Sequence, residues 1–245
     1  MLYEIAGTNT RILGSMHMVP PGRDRWMQPV RSAFDWSEQI YVEMKEENYP
    51  ALLTAPTALM ARDMPSDLYA AVSGLWPALP FTPLAECNLL GASLIASGVG
   101  VPSQPGVESL LRKWAGPLAD VRELESPEDF VRAGGDVPTD DLVSMTWTAL
   151  RSKADGPRNL AAKYRAWQVH DLHKLEALLQ IGTTERARAA IFGKRNQTWG
   201  PVIADASKSA QRTLIVCGCG HLCGPNNLRQ ILEREYGFVL KRLYM

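Results

Sequence analysis

The chain has 245 residues, 46% of them hydrophobic, and 26 basic side chains balanced by 26 acidic ones. That length and apolar content suffice for one large α/β domain or two small ones with a sizeable core. A net charge of zero leaves no electrostatic footprint for nucleic acid or an anionic membrane surface, so neither is expected as a partner.

The N-terminal residues Met-Leu-Tyr-Glu-Ile enter a strand pattern at once, without the charged-then-apolar layout of a signal peptide. A cytoplasmic location is the expectation. "LYEIAG" and "RILGSMH" read as a hairpin, with Asn9 and Thr10 supplying the turn. "WMQPVRSAFDWSEQ" follows as an amphipathic helix opening near Pro29, and "QIYVEMK" as a strand that carries Glu43 at its carboxyl end. From Pro50 to about Arg165 the pattern is mostly helical, with many Pro and Gly breaks. Its longest weakly polar run, Leu89 to Val101, is too short and too rich in Gly and Ser to span a bilayer. "GVESLLRKWAG" has helical spacing. "ADVRELESPEDF" reads as a strand from Asp120 that delivers Glu125, followed by the helix start "SPED". The aspartates of "AGGDVPTDD" read as surface or capping groups.

The last third resumes the alternation. "KYRAWQVHDLHKLEALLQ" reads as one helix, with His170 and His173 on one face in surface or supporting roles; a glutamate in the His-Glu-x-x-His arrangement is absent. Arg186, Arg188, Lys194 and Arg195, interleaved with apolar residues, form a helix face. "QRTLIVCGCGH" is a buried strand, "GPNNLRQILEREYG" a helix stopped by Gly237, and "FVLKRLYM" a closing strand. Cys217, Cys219 and Cys223 surround His221. Structural zinc sites pair two Cys-x-x-Cys knuckles, and no second one exists, so Cys217 reads as a small apolar core residue. The repeated strand–loop–helix order argues for a central sheet flanked by helices, with a mostly helical insertion at about 50–105 of a single domain. In such sheets function collects beyond the carboxyl ends of the strands, which is where His17, Glu43, Glu125 and His221 fall.

Two apolar runs end in the same way, as Gly14-Ser15-Met16-His17 and Gly218-Cys219-Gly220-His221, in a chain with only four histidines. Together with "VRSAFDWSEQIYVEM", "GVESLL…ADVRELES", "AWQVHD…GKRNQTW" and "GPNNLRQILEREYGFVLKRL", these motifs resemble the TraB/PrgY/GumN family, which includes the Tiki metalloproteases. The resemblance covers nearly the whole chain outside about Pro50 to Ser103. It implies a fold similar to erythromycin esterase and the haem-binding ChaN proteins, and peptide-bond hydrolysis with a divalent ion such as Mn or Co. It further implies a metal site of His17, Glu43 and His221, lined by Arg195 and Asn196. Where the family has Trp-x-x-Gly-Asp, this chain has Trp167-Gln168-Val169-His170-Asp171. Its second motif carries Cys219 and Cys223 in place of Ala or Val, which leaves open a thiol beside the metal.

Imidazole and carboxylate ligands suit Mn, Co or Zn, and three protein ligands leave a position for water. Glu125 is the expected proton acceptor, and Arg195 a fixed guanidinium for a substrate carboxylate or an oxyanion. The expected activity is thus a metal-dependent hydrolase acting on a peptide or small-molecule substrate. The alternatives are a haem- or metal-binding protein without turnover, or a regulatory module that sequesters a peptide.

Overall fold

In the computed structural model, residues 1–48, 53–54, 60–76, 83–98, 101–116 and 120–243 are described. The expected helical insertion falls partly outside them, at 49–52, 55–59, 77–82 and 99–100.

A mixed six-stranded sheet forms the centre, built from β1 (Leu2–Ile5), β2 (Thr10–Ser15), β4 (Gln39–Val42), β6 (Val121–Glu123), β7 (Thr213–Gly218) and β8 (Leu240–Leu243) in the order β6-β4-β7-β2-β1-β8. β6, β4, β7 and β2 run parallel, while β1 runs antiparallel to both β2 and β8. Every residue of β7 is buried, as its unbroken apolar run requires of a central parallel strand. Ile12, Leu13, Ile215 and Val216 are fully buried in the main core; each such side chain contributes roughly 1.5–3 kcal/mol. A two-stranded ribbon, β3 (Met18–Val19) with β5 (Gln104–Pro105), continues the chain just past His17.

Helices flank the sheet. α1 (Met27–Trp36) buries Val30 and Ala33, as its spacing predicts. α2 (Ser66–Ser73), α3 (Leu89–Gly98) and the following α4 (Val107–Ala115), α5 (Pro127–Gly135) and α6 (Thr139–Arg151) make up the middle of the chain. Leu68, Leu89, Leu90 and Leu142 form a second apolar cluster there, joined by Ala187 and Ala190. α5 starts on the expected signal: Ser126 accepts from the Asp129 N–H while Asp129 reaches back to the Ser126 N–H. Among the described residues, no helix is long and apolar enough to cross a membrane.

Four sequence expectations change. The hairpin turn falls on residues 6–9 with Gly7 at φ 77°, and Thr10 already pairs with Thr213. Asp141 is not a surface group: it is buried and takes Arg186 and the Thr184 hydroxyl. The single helix expected over 163–180 is two, α7 (Gly156–Gln168) and α8 (Leu172–Leu179), because His170 sits at φ 58°. A side chain in that left-handed region breaks an α-helix, so His170 and His173 share no helical face. Finally, α9 (Glu185–Arg188), a π-helical segment Ala189–Lys194 and α10 (Arg195–Ala206) run on continuously, and the basic residues do not share one face: Arg186 and Lys194 are exposed while Arg195 is buried. A Cβ at Gly200 would stand 3.0 Å from Tyr236 at the end of α11 (Leu228–Tyr236), so glycine there lets the two helices pack closely.

Candidate functional site

The sheet register brings the two Gly-x-x-His segments side by side. Ser15 pairs with Gly218 and Val42 with Val216, so the chain ends of β2, β4 and β7 deliver His17, Glu43 and His221 to one edge. The Leu124 and Glu125 N–H groups continue the pairing past β6, donating to Val42 O and Glu43 O at 2.8 and 3.3 Å. All four expected residues therefore lie beyond the carboxyl edge. Gly218 is their meeting point. A Cβ there would stand 3.1 Å from Glu43 Oε1, 3.3 Å from His17 Nε2 and 3.9 Å from His221 Cδ2.

Arg195 occupies the middle of the cluster. Its Nε donates to both oxygens of Glu125, at 2.9 and 3.0 Å, its Nη2 to Glu125 Oε1 and to Glu43 Oε2 at 2.7 Å, and its Nη1 lies 3.2 Å from His221 Nε2. Trp199 and Phe130 stack on its faces, with ring centroids 4.8 and 4.9 Å away. Asn196 lies beneath the cluster and holds His221. Its Nδ2 donates to Asn226 O at 3.0 Å, which leaves Oδ1 to accept from His221 Nδ1 at 2.7 Å and assigns the proton of a neutral ring to Nδ1.

A carboxylate the motifs did not single out completes the first histidine. Glu108, in the first turn of α4, accepts from Ser15 Oγ and stands 3.2 Å from His17 Nδ1. The signal was present in "GVESLL": Val107, Glu108 and Leu111 are the buried residues of that helix, and a carboxylate on an apolar face needs a partner. Gly106 permits the junction, since its N–H bonds His17 O and a Cβ would fall on the Met16 carbonyl, 1.8 Å away. Glu108 Oε2 is buried without a partner among the described residues.

The electrostatics follow from these contacts. Burial pushes the Glu43 carboxyl up, but Arg195, the two histidines and the Gly218 N–H, 2.5 Å away, together hold it well below the usual carboxylate range. Burial also outweighs Arg195 at Glu125, whose pKa is raised. The Glu108 carboxylate lifts His17 to about 9, against burial; the His17 side chain is 61% accessible, through the face it turns to the cleft. Burial drops His221 to about 3 beneath Trp199 and Phe192, whose ring centroids lie 4.1 and 5.0 Å from its own. Burial lifts Cys219 and Cys223 to about 12, so both are thiols at neutral pH. The cluster lines a cleft of about 340 Å³ together with Met44, Leu94, Ser109, Arg112 and Phe130.

The sequence profile of the TraB/PrgY/gumN family matches residues 1–241, nearly the whole chain. The chain belongs to this family. The match runs through the stretch from Pro50 to Ser103 that the motifs left uncovered. No curated protein and no solved structure matches the chain at a significant level. In this TraB/PrgY/gumN chain the paired glycine-histidine segments, Glu43, Glu125 and the Arg195–Asn196 pair share one site. His170 and His173 lie outside it. Where the family motif has glycine, His170 takes the left-handed backbone that glycine adopts without strain, and its ring packs 6.4 Å from Tyr3. Trp167 is core, and its indole N–H donates to Gly14 O at 2.7 Å, tying α7 to the first motif.

Proposed function

We propose that this family member is a metal-dependent hydrolase of peptide bonds, in a single cytoplasmic domain, with His17, Glu43 and His221 as the residues that hold a divalent ion such as Mn, Co or Zn. The observation that carries the reading is the convergence of these side chains on Gly218, with each imidazole held through Nδ1 by a side-chain acceptor, Glu108 or Asn196. Such outer partners orient a histidine so that Nε2 is left for a metal. The donor set, two imidazoles and a carboxylate, fits a first-row divalent ion. Bound there, the ion supplies a Lewis acid and an acidified water.

The chain's own residues do the rest. Glu125 has no accessible side-chain surface and spends both oxygens on the Arg195 Nε, which suits anchoring the guanidinium better than the proton-accepting role expected from sequence. Glu108 is no better placed as a base, since its Oε2 is buried too and His17 and Ser15 hold it ionised; it positions the first imidazole. Arg195, fixed by Glu125 and Glu43, supplies the positive charge for an oxyanion or a substrate carboxylate, which would replace His221 Nε2 as the partner of its Nη1. Met44, Leu94 and Phe130 give the cleft apolar surface for the side chains of a peptide.

A specific observation favours a second reading, anion or peptide binding without turnover. Among the described residues no three His, Cys, Asp or Glu side chains are arranged to hold an ion, since Arg195 engages both Glu43 and His221. Calorimetric titration of chelated protein with Mn, Co and Zn, followed by mass spectrometry of a peptide library, decides between the two. The hydrolase reading expects ion binding and ion-dependent cleavage, both lost in His17→Ala and His221→Ala. Peptide binding that ignores chelator, with no cleavage under any ion, supports the second.

A further inference from the structure

A second cavity, of about 300 Å³, lies between α3, α6, α7 and α8 and shares Leu94 with the cleft. Met18, one residue past His17, and Phe192, packed edge-on against His221, also border it. Three bordering residues are large apolar side chains left in the open: Met18 at 37%, Leu94 at 46% and Ile181 at 53%. A soluble surface seldom gathers such residues around one opening unless something covers them.

The charge of this groove is one-sided. Lys153 and Lys163 border it, and no Asp or Glu does among the described residues. On α7, Asn159 and Lys163 stand one turn apart, and neither side chain has a hydrogen bond or ion pair within the described protein. Burial, only partly offset by Cys219, lowers the Lys163 pKa, so its ammonium is drawn from water with no carboxylate to compensate it. The walls also carry hydroxyls. Thr148, Ser152 and Thr183 donate to main-chain carbonyls, which leaves their oxygens free to accept amide N–H groups. A plain acyl chain has no use for those acceptors, whereas a peptide backbone does. The volume, at the lower limit of small-ligand pockets, suits a short segment rather than a folded partner.

We propose that this groove binds a short apolar peptide segment ending in a free C-terminal carboxylate, which Asn159 and Lys163 hold together. The groove lies beside the cleft, so a peptide anchored there has its remaining chain directed past Leu94 toward His17. The claim that this peptide is substrate or product rests on the hydrolase reading; the binding itself does not.

The test compares an N-acetylated Leu/Phe tripeptide as free acid, the same peptide as C-terminal amide, and laurate, titrated calorimetrically into the full chain. A charged hydrogen-bond partner gives the acid a preference of about tenfold or more over the amide. Lys163→Gln and, independently, Asn159→Leu reduce that preference, and Lys163→Arg retains most of it, with thermal melts confirming that each variant is folded. Equal binding of acid and amide by the parent overturns the proposal, as does a preference that survives Lys163→Gln. Laurate binding more tightly than the peptide acid overturns the choice of a peptide. Acid-selective binding with no cleavage under any ion sinks the hydrolase reading and leaves the groove standing, while cleavage without acid selectivity does the reverse.

Discussion

The two Gly-x-x-His segments share a pattern and differ in almost every physical property. His17 lies open to the cleft against a carboxylate and is raised to about 9; His221 is 2% exposed against a carboxamide and is lowered to about 3. The register explains part of the difference. Ser15, not Gly14, pairs with Gly218, so the motifs are offset by one residue along the sheet. Gly14 faces the core, where a Cβ would meet Leu222, and Gly218 faces the site. The repeat therefore supplies two imidazoles and one close approach, and the Glu108 carboxylate at His17 and the burial of His221 decide which ring carries charge.

The sharpest way to break this pairing is at the support of the first histidine. Gly106→Ala puts a methyl onto the Met16 carbonyl, where backbone must move, and we expect a loss of about 3 kcal/mol or more in urea unfolding. Gly14→Ala clashes with the end of the Leu222 side chain and otherwise reaches ordinary contact with Met1, so it should cost clearly less. Comparable losses would show that the β3–β5 junction is not what fixes His17.

Acid and base should act on the two histidines separately. The folded pKa of His221, about 3, lies below its ordinary 6.5, so its contribution to stability is intact above pH 6.5 and is lost as the pH falls toward 3. The folded pKa of His17, about 9, lies above 6.5, so its contribution is intact below 6.5 and disappears as the pH rises through 9. Metal-free protein should be most stable near pH 6.5. Between pH 6.5 and 4.5, above the carboxylate range, the fully buried ring costs up to about 1.4 kcal/mol per pH unit. The limb on the alkaline side should be shallower, because the His17 side chain is largely accessible and its ion pair is screened. Denaturant midpoints across pH check this, and the acid limb should be missing in His221→Gln. An acid limb unchanged in that variant would assign it elsewhere.

Exchanging the partners sharpens the comparison further. Glu108→Gln should bring the His17 pKa down from about 9 toward 6.5, and Asn196→Asp should raise that of His221, both read by NMR titration of the ring protons. The second variant also loses two donors to Asn226 O and His221 O, at a cost of about 1–3 kcal/mol for the buried acceptors. If the two pKa values stay put, burial alone separates the histidines. The smallest effect is expected outside the site. His170→Gly relieves a left-handed side chain and a buried ring nitrogen without a partner among the described residues, so we expect a gain of about 1 kcal/mol in thermal unfolding. Destabilisation would mean that the ring's packing on Tyr3 outweighs the strain.

Much of the frame was legible in the sequence. The apolar run of β7, the capping box at Ser126 and the Gly237 stop are local signals, and local signals survive because backbone geometry and burial act over a few residues. The positions of His17, Glu43, Glu125 and His221 past strand ends followed from that frame. The break at His170 was not legible, because a histidine forced to positive φ looks helical by periodicity. Nor was Asp141, whose partners lie more than forty residues away in sequence. What the sequence determined by itself was which residues reach the carboxyl edge of the sheet. Only the tertiary structure decided which acceptor meets each imidazole, that Arg195 lies buried among two carboxylates and a histidine, and that Glu108 belongs to the cluster. Those outcomes depend on Coulomb contacts of a few ångströms between segments up to 175 residues apart, a length scale that no periodicity along the chain encodes.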